Sequence, residues 1–197
     1  MTSILETERL ILREWKDEDI PAFVAMNQDP RVMEFFPALR TEQESRDGVE
    51  WHRRHFKEHG FCCYAVELKE TGKFIGFVGL SIPPYQTHFT PCVEIGWRLA
   101  HQFWEKGYAT EAAKAVLKSG FEKHSLKEIV SFTSTFNQPS MRVMEKIGLK
   151  RDFDGDFDHP NISKDHRLAK HVLYRLNAPD YFKNITSMET NPIPALF

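Results

Sequence analysis

The stretch Trp104-Glu105-Lys106-Gly107-Tyr108-Ala109-Thr110-Glu111-Ala112 decides how this chain is read. A strand-like run, Cys92–Leu99, leads into it. A helical pattern leads out of it, with Ala109, Ala112, Ala113, Val116, Leu117, Gly120 and Phe121 on one face. Small residues on that face let the helix lie close to a sheet. Strand, glycine loop and helix start form a geometry that holds phosphate oxygens. The first N–H groups of a helix have no partners within it, and the helix dipole favours an anion there. Gly107 permits positive φ, Ala109 leaves room for close approach, and Lys106 adds charge at the rim. One glycine loop is equally what a tight strand-to-helix turn needs. The stretch is not a Walker loop, since no Gly-Lys-Ser/Thr stands at the required spacing. It is not a dinucleotide fingerprint either, since two of the three glycines are missing.

Working outward, Glu128–Thr135 reads as a β-branched strand and Gln138–Ile147 as a short helix. Asn137 is its N-cap, Pro139 lies in its first turn and Gly148 ends it. Leu149–Phe157 and Lys170–Leu176 read as a final strand pair. Upstream, Phe61–Leu68 and Phe74–Ile82 form a hairpin about a turn at 69–73, followed by a loop and then Cys92–Leu99. Gly76, Gly79 and Gly96, inside strand runs, predict bulges or close backbone approach. Leu10–Arg13 is a short strand. Asp17 or Asp19 caps a helix to about Gln28, with Ile20, Phe23, Val24 and Asn27 on one face. Thr41 and Glu44 form a capping box for a second helix that ends at His59-Gly60. The order is strand, two helices, a three-strand meander, then helix, strand, helix and two strands. It predicts a mixed α/β layer around one sheet, a single domain over 1–177. Residues 178–197 hold three prolines and no clear period, and are expected to be a tail, frayed or packed along a neighbour.

Composition bounds the function. The chain has 197 residues, 41% of them hydrophobic and 27% charged, with 26 Lys+Arg against 28 Asp+Glu for a net charge of −2. That balance argues against a protein coated in positive charge for nucleic acid, yet leaves room for a local anion site. Cys62, Cys63 and Cys92 make neither a disulfide framework nor a zinc spacing, which suits a reduced, cytoplasmic setting. The first residues turn acidic too early for a signal sequence. No run of about 18 apolar residues predicts a membrane span.

Two segments taken together carry a resemblance. Trp104 to Ala112 resembles the acyl-CoA pyrophosphate loop of the GNAT superfamily of N-acetyltransferases, whose pattern is Gln/Arg-x-x-Gly-x-Gly/Ala. Asn137-x-x-Ser140, followed by Glu145-Lys146-Ile147-Gly148, resembles that family's second CoA-contacting segment. The opening Glu6-Thr7-Glu8-Arg9-Leu10-Ile11-Leu12-Arg13 and the ending His171-Val172-Leu173-Tyr174-Arg175-Leu176 look like the RimJ/RimL-like branch. The resemblance spans about residues 5–177. It implies the GNAT acyl-CoA N-acyltransferase fold, α/β in class, with a mixed, mostly antiparallel central sheet flanked by helices. It also implies acetyl transfer from acetyl-CoA, with no metal, to a primary amine. That amine is a protein N-terminus as in the named branch, or a small molecule such as an antibiotic, polyamine or amino acid. Neither nucleic acid nor membrane is expected as a partner, and the assembly is a monomer or homodimer.

Under that resemblance, the CoA contacts fall on the backbone of Trp97, Arg98 and Leu99, on Trp104, Glu105, Lys106, Gly107, Tyr108, Ala109 and Thr110, and on Asn137. The chain departs from the family in two ways. Trp104 replaces the Gln or Arg of the loop, so backbone donors carry more of the phosphate contact. Met144 stands where many members place a tyrosine as general acid, which makes Ser140 the substitute candidate, although its hydroxyl also suits a helix start. An amine of pKa ~10 must lose a proton to attack, and Glu94, mid-strand just before the loop, is the candidate base; a solvated strand carboxylate is the alternative. A CoA-binding module without turnover, or a nucleotide site in the same loop, are the other classes of reading.

Other clusters read more plainly. Asp152-Phe153-Asp154-Gly155-Asp156-Phe157-Asp158 has its glycine out of place for a calcium loop and is expected to be an acidic strand that offers negative charge to a cationic amine. His52, His55 and His59 share a helix face, expected to be solvated or to line a groove. Phe35-Phe36-Pro37 matches the region that lines acceptor sites in the branch, with plain core as its alternative.

Overall fold

The computed structural model describes residues 3–190. One eight-stranded sheet runs through it, in the order β1 (Ser3–Glu6), β2 (Leu10–Arg13), β3 (Cys63–Leu68), β4 (Lys73–Ser81), β5 (Glu94–Leu99), β6 (Glu128–Ser134), β8 (Lys170–Asn177), β7 (Lys150–Asp158). Every neighbouring pair is antiparallel except β5 and β6, which are parallel. The expected mixed, mostly antiparallel sheet is therefore what forms. Helices α1 (Ile20–Asn27) and α2 (Glu42–His59) cover one face, and α3 (Tyr108–Lys118) and α4 (Gln138–Lys146) cover the other.

Local chemistry explains the boundaries. Thr41 and Glu44 make the capping box reciprocally, and Gly60 closes α2 in the left-handed conformation at φ 77°. Helix α3 packs Ala112, Ala113, Val116 and Leu117 against Ile95, Leu99 and Ile129 of the sheet, all buried. Its last turn widens into a π-turn at 119–123. The second layer joins Trp15, Ile20, Phe23 and Met26 to Val49 and Ala65. Gly76 sits at φ 142° beside the bulge of the β3–β4 pair, and a Cβ there would lie 2.2 Å from the Arg98 carbonyl oxygen, so close backbone approach requires the glycine.

Three expectations are corrected. Strand β1 adds to the expected order: of Ser3–Glu6 only Ile4 and Leu5 are apolar, a shorter run than the Leu10-Ile11-Leu12 that marks β2. Residues 178–190 are not an aperiodic tail but helix α5 (Ala178–Thr190), begun by Asn177, whose Oδ1 accepts from the Asp180 N–H at 2.8 Å. Tyr181 anchors it, stacked on Phe121 at 4.6 Å. The rest of that segment, 191–197, lies outside the described residues. The histidines of α2 are neither solvated nor groove-lining as a set. His52 is buried and stacked on Trp15, and burial lowers its pKa to about 3. The two ring nitrogens of His55 tie α2 to the segments just before β3 and just after β4, at the Phe61 carbonyl (2.8 Å) and the Ile82 N–H (3.0 Å).

Among the described residues, no helix is long and apolar enough to cross a membrane, and no three His, Cys, Asp or Glu side chains group to hold a metal. All three cysteines are free.

Candidate active site

A cavity of about 870 Å³ opens where β5 and β6 part. The two strands pair at Glu94 and Val130, with the Val130 N–H donating to the Val93 carbonyl at 2.9 Å. One step further, the Ile95 carbonyl accepts from the Ser131 hydroxyl instead of a β6 backbone group. Backbone groups alternate sides along a strand. Those of Val93 and Ile95 face β6, so those of Trp97 and Leu99 face the opening, while those of Arg98 face Phe77 of β4. Of the three residues expected to offer backbone contacts, Trp97 and Leu99 turn theirs toward the opening. The Arg98 backbone is turned away, and its side chain becomes the feature of interest.

Beyond β5, the loop into α3 is built tightly. The Trp104 indole N–H donates to the Leu99 carbonyl at 2.7 Å, which folds the loop back on the strand end. Glu105 takes φ 61° and Gly107 φ 81°, both in the left-handed region. Among the described residues no side chain caps α3, so the first-turn N–H groups of Tyr108, Ala109 and Thr110, residues that line the cavity, are left without a partner in the helix. The contrast with α4 is informative. There Asn137 Oδ1 accepts from the Ser140 N–H at 3.2 Å, and Asn137 Nδ2 donates to Thr133 Oγ1 at 2.9 Å. One helix start is satisfied internally, whereas the other keeps its donors uncapped among the described residues, the arrangement that suits an anion. An open helix start beside a parted pair of strands fits a ligand with a diphosphate and an extended, amide-bearing arm, and so fits acetyl-CoA.

Of the catalytic and CoA-contacting candidates taken from sequence, all but Lys106 line this cavity. The Lys106 ammonium instead sits 5.7 Å from the Phe103 ring centre. The Ser140 hydroxyl makes no hydrogen bond among the described residues; its cap role belongs to its backbone N–H. Met144 is buried beneath it. Glu94 is half-buried with no cation or hydrogen-bond donor on its carboxylate among the described residues, and burial raises its pKa to about 8. Phe35, Phe36 and Pro37 line the cavity. The acidic run does not reach it: Asp152 and Asp156 are engaged by Arg175 and Arg151, on the sheet's outer edge.

Four further residues shape the site without a signal in the sequence: Arg9, Tyr85, His159 and His171. Arg9 reaches from the β1–β2 turn to Glu111 in the first turn of α3, with Nε to Oε2 at 2.7 Å, and its Nη1 donates to the Lys106 carbonyl at 3.0 Å. Its guanidinium also covers the Tyr108 ring at 4.5 Å. The Glu111 pKa is lowered: burial acts against this, but hydrogen bonds from Thr7 and Arg9 outweigh it. The other three, Tyr85, His159 and His171, form an aromatic wall on the Glu94 side. Burial and His171 lower the His159 pKa to about 4, so this wall is uncharged at neutral pH. No local signal marks these residues; the fold brings them together.

Residues 9–150 match the acetyltransferase (GNAT) domain family. The uncharacterized protein YkkB of Bacillus subtilis is 36% identical over 146 residues, which is 74% of this chain and 84% of that protein. The crystal structure of a GNAT-family acetyltransferase from Bacillus anthracis superposes with a TM-score of 0.72 at 30% identity, covering 89% of this chain and 98% of that one. RimL, a ribosomal L7/L12 alpha-N-protein acetyltransferase solved with coenzyme A, shares the fold at TM-score 0.72 and 15% identity, covering 91% and 99%.

Proposed function

Since this chain belongs to the GNAT acetyltransferase family, we propose that it binds acetyl-CoA across the β5–β6 opening and transfers the acetyl group to a primary amine by direct attack. The observation that carries this reading is the uncapped α3 start facing the parted strands. Acetyl-CoA supplies an activated thioester. The open N–H groups of Tyr108, Ala109 and Thr110 hold its diphosphate, Asn137 holds the pantetheine arm, and the Trp97 N–H donates to the acyl oxygen as charge grows there.

The amine nitrogen bonds to the carbonyl carbon, the carbon–sulfur bond breaks, and its electron pair leaves with sulfur. Glu94 accepts the amine proton, directly or through water. The Ser140 hydroxyl supplies or relays a proton to the departing thiolate, because Met144 has none to give. A pKa of about 8 leaves Glu94 a strong enough base for an ammonium, and the cation itself draws the carboxyl back toward ionisation.

Two acceptor classes fit the resemblance, a protein N-terminal amine and a small-molecule amine. One observation favours the small molecule: the acceptor side is walled by Phe36, Tyr85 and His159 and holds the Arg98 guanidinium, which has no carboxylate partner among the described residues.

The test is thiol release from acetyl-CoA with a panel of peptides and small amines, with Gly107→Val as control. Acetylated amine with the native protein, and loss of CoA binding in the folded variant, support the reading. CoA binding without turnover of any amine leaves only a CoA-binding module. Thermal protection by ATP but not by CoA points instead to a nucleotide site.

A further inference from the structure

Arg98 is set apart from the other arginines. Each of the other arginines that is not exposed, Arg9, Arg13, Arg53, Arg151 and Arg175, pairs with a carboxylate. Arg98 has no ion-pair partner among the described residues. Its Nη1 donates to Asn27 Oδ1 at 2.7 Å, while its Nε is buried with no hydrogen-bond partner and its Nη2 makes none. An Nε hidden from water with no acceptor is costly unless something else completes it, and Nη2 beside it keeps some exposure on a residue that lines the cavity.

The surroundings hold the group flat and fixed. Phe36 lies against one face at 4.0 Å, and the Phe77 ring centre is 5.4 Å away. Asn27 is fully buried and is held in turn by Ser45 Oγ at 3.0 Å, whose own hydroxyl donates to the Thr41 carbonyl. Arg40 lines the same cavity and adds a second positive charge. With Nη1 committed to Asn27, the donors left are Nε and Nη2, the side of a guanidinium that takes a carboxylate with two parallel hydrogen bonds. Burial lowers the Arg98 pKa to about 9, so the group is still a cation at neutral pH.

Position completes the argument. Glu94, Gly96 and Arg98 alternate onto one face of β5, and both charged residues line the cavity. Four residues of strand set Glu94 and Arg98 about 13 Å apart at the backbone. Side chains that lean toward one ligand shorten that span to the size of an amino acid or a close analogue.

We propose that the acceptor is a small amine that also bears a carboxylate, seated with its amine toward Glu94 and its carboxylate on the Nε and Nη2 edge of Arg98. This rests on the acetyltransferase reading above and names the substrate class of that site.

The experiment measures acetyl-CoA-dependent acetylation of free amino acids, each beside its own carboxamide, with the acetylated product identified by mass. A further pair, a peptide with N-terminal Asp and its Asn counterpart, tests whether a carboxylate at a chain terminus can serve instead. The expected result is that at least one free acid exceeds its carboxamide by tenfold or more in kcat/KM, while the two peptides do not differ. Arg98→Gln should remove that preference through the KM of the acid, and Arg98→Lys should restore it only in part. Equal rates for acid and carboxamide in the native protein overturn the proposal whether or not the variants fold, and so does an unchanged preference in Arg98→Gln. Preference for the Asp peptide over every free acid overturns the small-molecule assignment. Acetylation of neutral amines with no preference defeats this inference alone. Acetylation of nothing defeats it together with the proposed function.

Discussion

The Arg9 guanidinium grips the Glu111 carboxylate across 102 residues of sequence, Nε to Oε2 at 2.7 Å, and binds the Lys106 carbonyl with the same group. The β1–β2 turn thereby fixes both the loop before α3 and the first turn of α3. A cradle of backbone donors works only if the backbone is already in place.

Arg9→Ala should therefore act on the cofactor without touching the acceptor. The KM for acetyl-CoA is expected to rise about tenfold, the loss of roughly one charged hydrogen bond, with the acceptor KM little changed. Steady-state kinetics with each substrate varied in turn checks this. An unchanged KM for acetyl-CoA would separate Arg9 from the loop.

Glu105 makes the opposite prediction. It is a non-glycine residue at φ 61°, exposed at the mouth of the anion site. Left-handed backbone costs such a residue about 1 kcal/mol, and its negative charge lies at the edge of the site proposed for a diphosphate. Glu105→Gly should hold or raise thermal stability and tighten CoA binding a few-fold. Calorimetric titration with CoA reads the affinity; weaker binding would assign the Glu105 side chain a positive part in holding the ligand.

Ser140 can be tested cleanly because its cap role lies in its backbone N–H, which alanine keeps. Ser140→Ala is expected to lower kcat about tenfold while melting temperature and CoA affinity stay near native. Full turnover in the variant would remove the hydroxyl from the proton path.

Much of this architecture was legible because it is local. The Thr41–Glu44 box, the Gly60 stop, the Asn137 cap and the small-residue face of α3 each depend on residues within a few positions of one another. Helix α5 carried comparable signals in Asn177, Pro179 and Asp180, but three prolines across 178–197 masked them. The acceptor side was not legible. Tyr85, His159 and His171 come from two loops and a strand, and nothing near them in sequence marks a wall. For Arg98, a residue named for its backbone, the opening of β5 from β6 reverses the emphasis: its backbone turns to β4 and its guanidinium enters the cavity. The histidines of α2 misled in the other sense, since helical spacing alone does not distinguish a buried tie such as His55 from a solvated face.

Acetyl transfer with Glu94 as the base is read most plainly in the ratio of native to Glu94→Gln kcat/KM for the amine across pH, since kcat/KM reports the pKa of the unliganded protein. Taking the ratio cancels the titration of the amine itself. Glu94 works only when ionised, and its pKa lies at about 8. The ratio should climb close to tenfold per pH unit below about 8 and level above it, reaching 100-fold or more at the plateau, the usual scale of general-base catalysis. A ratio near one at every pH, or an identical rising limb in the variant, would contradict the account.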